Sequence, residues 1–182
     1  MRTLTKTCLF LMVASLLMVS CQKTELERWE GTYSYKISGR IELLPDDPAE
    51  VSEEDDDSGE EQENPVPFWL DLTPEEGQMH VVTDVKDEHQ MLLTFNAILG
   101  DAYSCTAVES EGVLSVSGNP KKMVSVSSDR IPLAKRQVNY AGQGRLTGDV
   151  AVFTLTYSGE MDLYGHHYKV SGCEVECIAT KN

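Results

Sequence analysis

Positive charge is what this chain has least of: 15 Lys and Arg stand against 30 Asp and Glu in 182 residues, a formal charge of −15. Nucleic acids attract proteins chiefly through their phosphates, and here that attraction has the wrong sign, so nucleic-acid binding is excluded as a function class. Chemistry-bearing motifs are missing too. No Gly-x-Ser-x-Gly, His-Glu-x-x-His, P-loop or Cys-x-x-Cys occurs, which removes the common signatures of hydrolase, zinc, nucleotide and thiol-redox sites. Beyond the first twenty residues no window keeps apolar residues at i, i+3, i+4 and i+7, so no long helix is expected. The one sustained apolar run, Cys8–Val19, spans twelve positions, and a bilayer-spanning helix needs about twenty.

That run has a meaning of its own. Arg2 and Lys6 precede it, and the small Ser20 and then Cys21 follow. A basic start, a short apolar stretch and a small residue at the cut form the layout of a secretory signal, predicted over residues 1–20. Leu17-Met18-Val19-Ser20-Cys21 resembles a lipobox, the motif at which bacterial lipoprotein signals are cut before a cysteine that is then acylated. The resemblance implies a lipid on Cys21. Gln22 follows, where Asp would resemble an inner-membrane retention signal, so the implied address is the outer membrane of a bacterial cell envelope. Two or more acyl chains on one residue anchor a protein stably, whereas one is marginal. Residues 21–28 then read as a polar tether.

Without residues 1–20 the chain keeps 13 basic against 30 acidic residues, or −17, because the signal carries Arg2 and Lys6 and no acid. What remains is long enough for one domain with a core, at 29–182. The acid is concentrated: eleven carboxylates lie between Asp46 and Glu63 with no Lys or Arg among them, bracketed by Pro45, Pro48, Pro65 and Pro67. With Ala49 and Val51 as almost its only apolar residues, residues 45–66 are expected to be a disordered insertion, because they cannot bury enough surface to offset ordering entropy. Calcium binding fails on spacing. With Gly59 at the sixth place of an EF-hand loop, Pro65 falls where the bidentate Glu belongs.

Elsewhere the pattern has a period of two. Tyr33, Tyr35, Ile37, Ile41 and Leu43 alternate with Thr32, Ser34, Lys36, Ser38, Arg40 and Glu42, a long strand with one face on a core. Gly39 in its middle suggests a bend. Shorter alternating runs follow, Phe68–Leu72, Met79–Val85, Met91–Leu99, Tyr103–Ala107, Leu114–Val116, Val124–Val126, Val138–Tyr140 and Ala151–Tyr157, with turn signals at Gly100-Asp101, Glu111-Gly112, Gly118-Asn119-Pro120 and Gly148-Asp149. In the last run, His166–Ile178, the apolar parity changes between Val170 and Cys173. A one-residue slip exchanges faces, so a β-bulge is expected at Ser171-Gly172. The fold class is therefore all-β, an antiparallel up-and-down barrel of roughly 8–10 strands, with a β-sandwich as the alternative.

Trp29 followed by Gly31-Thr32-Tyr33 is similar to the glycine-x-aromatic opening of calycin and lipocalin-like barrels. The stretch Tyr140–Gly148, with Gly142 and Gly144, running into Val150–Tyr157, resembles the late glycine-rich hairpin of lipoprotein β-barrel domains. The likeness implies a non-enzymatic module binding a small apolar or glycan ligand, and Tyr33, Tyr35, Phe95, Tyr103 and Phe153 are the candidate cavity residues. An envelope protein–protein interaction module with a filled core is the alternative; a hydrolase is carried as a third class without support.

No catalytic residue, cofactor or metal is assigned. His166 and His167, with Asp162 nearby, are strand neighbours that face opposite ways and so read as surface polar residues. Cys173 and Cys177 lie about 13 Å apart along a strand, beyond disulfide reach, so any bridge would join Cys105 to one of them; three small buried thiols are the other reading. Lys121, Lys122, Arg130, Lys135 and Arg136 form a basic patch in sequence, an interaction face or a balance to the acidic insertion.

Overall fold

A computed structural model describes residues 25–46, 66–118, 120–128 and 132–182. The signal, Cys21, Arg130 and most of the acidic insertion lie outside the described residues. Eleven strands follow in chain order: β1 (Gly31–Pro45), β2 (Phe68–Leu72), β3 (Glu75–Thr83), β4 (Gln90–Ala97), β5 (Tyr103–Ser110), β6 (Val113–Ser117), β7 (Lys121–Ser127), β8 (Ala134–Thr147), β9 (Val150–Ser158), β10 (Glu160–Leu163) and β11 (His166–Lys181). Residues 25–29 form a short helical turn ahead of β1.

Eight of the strands close into an antiparallel barrel, in the order β1-β3-β4-β5-β6-β8-β9-β11 and back to β1. Alternation explains the closure. Each strand has an apolar face, and a ring lets all of these faces share one core while leaving no unpaired edge. The expected all-β barrel is the observed architecture. The three remaining strands, β2, β7 and β10, depart from a pure up-and-down order and build a narrower collar at one end.

The collar arises because three long strands change partners along their length. Strand β1 pairs with β3 over Gly31–Ile37 and with β2 over Arg40–Leu43. Strand β8 pairs with β7 over Ala134–Asn139 and with β6 over Gln143–Arg145. Strand β11 pairs with β10 over His166–Lys169 and with β9 over Val175–Thr180. The wall therefore forks midway, one branch being β3 to β6 and the other the β2–β7 pair. Strand β10 lies beside β8, where the Arg136 guanidinium donates to the Asp162 carbonyl.

Gly39 sits at the fork, between the two halves of β1. Its φ is 144°, and a Cβ placed there would meet the Glu174 carbonyl oxygen at 2.0 Å, so the bend and the close approach of β11 both require glycine. Opposite in the collar, the β1–β11 register passes from Glu42↔Gly172 to Leu43↔Val170, which leaves Ser171 as the extra residue. That is the β-bulge expected from the parity change.

Two runs outlast their strands. Val85 and Leu99 continue the alternation in sequence, yet β3 ends at Thr83 and β4 at Ala97, and both residues stand out in the following turns. Parity reports a face, not a stopping point. The start of the domain differs as well. Residues read as tether form the helical turn, which packs Leu26 against the core and buries Trp29 beside Phe153, 5.9 Å between ring centroids. The Tyr33 hydroxyl donates to the Trp29 carbonyl at 2.8 Å, so this turn stoppers the wide end of the barrel.

The interior is filled by side chains. Gly142 and Gly144 face inward on β8, and a Cβ at either would strike Leu155 or Phe153 at 2.6 and 2.3 Å; the rings and methyls of β9 occupy the room that the two glycines leave. Gly39→Ala is expected to lower unfolding free energy by about 3 kcal/mol or more. Gly112→Ala, at an open turn with nothing within 4 Å, should cost about 1 kcal/mol. Urea denaturation of the two variants compares them directly.

Candidate functional site

At the fork, four strands bring polar groups into the apolar interior. Lys122 on β7 shares the parity of the buried Val124 and Val126, so the strand turns its ammonium inward, and its side chain is 2% exposed. Glu75 opens β3 in the same parity as Met79 and Val81, which aims its carboxylate at the same place. Lys122 Nζ donates to Glu75 Oε2 at 2.9 Å and to Tyr103 Oη at 2.9 Å. Glu75 Oε1 accepts from Tyr35 Oη at 2.9 Å and from Tyr103 Oη at 2.8 Å. Desolvation of a charge is costly unless it is paired and hydrogen-bonded, and this cluster supplies both.

The electrostatics follow from burial. Desolvation lowers the Lys122 ammonium from its ordinary value, against the opposing pull of Glu75. The Tyr35 and Tyr103 hydroxyls are raised far above the usual phenol range, first by burial and then by the Glu75 charge, so both stay protonated as donors. Tyr157 is raised in the same way. Burial also pushes the Cys105 thiol up to about 11 and the Cys177 thiol up to about 12. Cys105, Cys173 and Cys177 are all free in the structure.

The cluster floors a cleft of about 520 Å³ that opens on the flank of the barrel, where the branches part. Ile37, Leu72, Leu99 and Val124 give it apolar walls, Lys121, Lys135 and Asp101 lie at its rim, and Tyr157 and Tyr103 stand within it. Lys122 Nζ is 4.5 Å from the Tyr103 ring centroid and 5.8 Å from that of Tyr157, inside cation–π range.

The five aromatic residues singled out from sequence separate into two groups. Tyr35, Phe95 and Tyr103 meet: Phe95 stacks on Tyr103 at 4.7 Å and takes Tyr35 edge-on at 5.2 Å. Tyr33 and Phe153 belong instead to the stoppered end with Trp29. Of the five, Tyr103 lines the cleft. Lys122, Glu75 and Tyr157 were not anticipated. Lys122 in particular stood among the basic residues of a sequence patch, and the structure corrects that placement, because an inward parity outweighs the charge of its neighbours in sequence.

The two histidines point apart as strand neighbours should. His167 Nδ1 lies 2.7 Å from Asp162 Oδ1, with Glu160 and Asp46 at 3.5 and 3.6 Å from Nε2. The Asp162 hydrogen bond raises the His167 pKa. Among the described residues no group of three or more His, Cys, Asp or Glu is placed to hold a metal ion.

No family model, curated protein or solved structure matches the chain. The cluster itself therefore supplies the chemistry to reason from: a buried ion pair ringed by tyrosines at the base of an open cleft. Glu75→Gln is expected to destabilise the fold by about 3 kcal/mol, because it strands the Lys122 charge, and adding Lys122→Met should recover most of the loss. Equilibrium denaturation of both variants checks this. The thiol positions give a second outcome: at pH 8 iodoacetamide should leave Cys105 and Cys177 unmodified in the native protein and alkylate both in urea, read by peptide mass spectrometry.

Proposed function

We propose that this chain is a lipid-anchored lipoprotein of a bacterial cell envelope, held at the outer membrane through an acylated Cys21, and that its calycin-like barrel is a non-enzymatic module binding a small organic ligand. The anchor rests on the signal layout and the lipobox resemblance at Leu17–Cys21. The binding role rests on one observation above the rest, the flank cleft of about 520 Å³ with a buried ion pair at its base. Ligand pockets are concave, mostly apolar and punctuated by a few polar groups that orient the guest, at about 300–1,000 Å³. A lumen-filling ligand of the lipocalin kind does not fit this interior, because Phe153 and Leu155 occupy the space over Gly142 and Gly144.

A second reading, an envelope protein–protein interaction module, is favoured by the filled core and by the β4–β5 turn, where Ile98 and Leu99 are 75% and 92% exposed. Two measurements separate the parts of the proposal. Cys21→Ser should move the protein from the membrane fraction to the soluble one, and unchanged detergent partition would refute the anchor. Native mass spectrometry of the envelope-purified protein should show a retained small molecule; a retained polypeptide instead would support the second reading.

A further inference from the structure

We infer that the fork cleft takes a small amphiphile with an acidic head, its carboxylate seated against Lys122 and Tyr157 and its apolar body lying along Ile37, Leu72 and Leu99. This rests on the reading of the cleft as a binding site and names the class of guest.

Hydrogen-bond bookkeeping points to an acceptor. An ammonium has three N–H groups, and Lys122 commits two of them, to Glu75 Oε2 and Tyr103 Oη. Tyr157 lines the cleft, and its buried hydroxyl has no hydrogen-bond partner among the described residues. A buried hydroxyl without a partner costs free energy, which a bound acceptor would recover. The cleft lining thus holds one N–H and one O–H without a hydrogen bond, with the Lys122 ammonium 5.8 Å from the Tyr157 ring centroid. Oxygens of a carboxylate accept both, and charge-assisted bonds of this kind are the strong ones.

Charge points the same way. Lys121, Lys122 and Lys135 line the cleft together with Glu75 and Asp101, a net +1, in a chain whose formal charge is −15. A cleft with low-dielectric walls concentrates such a field and draws in the opposite sign. A neutral sugar fits less well. Its hydroxyls want acceptors as well as donors, and three of the hydrogen bonds in the cluster already end on Glu75. The Tyr103 ring is no open stacking plate either, with Phe95 stacked on it at 4.7 Å and the Lys122 ammonium over it at 4.5 Å.

The test uses the mature chain from residue 21 carrying Cys21→Ser, so that no acyl chain competes. Sodium octanoate and octyl glucoside, which share a tail and differ in the head, are titrated by calorimetry. Octanoate should bind saturably and octyl glucoside at least about tenfold more weakly. Tyr157→Phe should weaken octanoate about fivefold, the worth of one hydrogen bond, with the melting temperature of the free protein unchanged or higher. A residue with a merely structural role would lower it instead. Equal binding of the two probes, or octanoate binding indifferent to Tyr157→Phe, overturns the acidic head. Failure of octanoate to bind overturns it too, and native mass spectrometry then decides the parent reading: a retained neutral compound preserves the module, and a bare protein removes it.

Discussion

The burial of one ammonium group sets the terms for the middle of this protein. Lys122 has left water almost entirely, and an ion in that position must find opposite charge and hydrogen-bond acceptors or unfold its surroundings. Glu75 and Tyr103 meet the need from β3 and β5, and Tyr35 steadies Glu75 from β1. None of these strands shares a hydrogen-bonded ladder with β7, whose backbone pairs with β2 and β8. Side chains therefore join the two branches of the wall where the backbone does not. A buried pair of this kind adds little net stability compared with well-packed apolar residues; what it supplies here is a direct link from β7 to β3.

Much of the architecture was legible because a strand writes its two faces into alternate residues. Tyr33 to Leu43 disclosed β1, the shift of parity between Val170 and Cys173 disclosed the bulge at Ser171, and Gly39 disclosed the bend. Alternation is silent on height along the barrel axis, which is why Tyr33 and Phe153 were grouped with Tyr35, Phe95 and Tyr103 although the two sets occupy different levels. It is also silent on where a strand stops, as Val85 and Leu99 show. The charged centre carried a signal that went unused. Lys122 is in step with Val124 and Val126, and Glu75 with Met79 and Val81. A charge in step with an apolar face is the pattern to look for, and reading Lys122 with its basic neighbours concealed it.

The filled interior and the open flank belong together. Glycines on β8 let β9 press its large side chains across the lumen, which closes the central space, while the partner exchange of β1 and β8 opens a space at the side. Catalysis and recognition in small barrels commonly use the mouth; here the usable concavity is displaced to the wall, with groups from β1, β3, β5 and β7 at its base. The arrangement places a cationic pocket on an otherwise acidic molecule.

The seam between β1 and β11 joins Tyr33 to Lys181, nearly the full length of the folded chain. A chain made from its N-terminus can pair one edge of β1 with β2 and β3 early, but the other edge has no mate until the final residues arrive. Loop-closure entropy makes such distant pairing slow, and a waiting strand edge is open to wrong partners. Loss of the last dozen residues would remove the β11 partners of Tyr33 to Glu42 and open the cylinder along most of that seam.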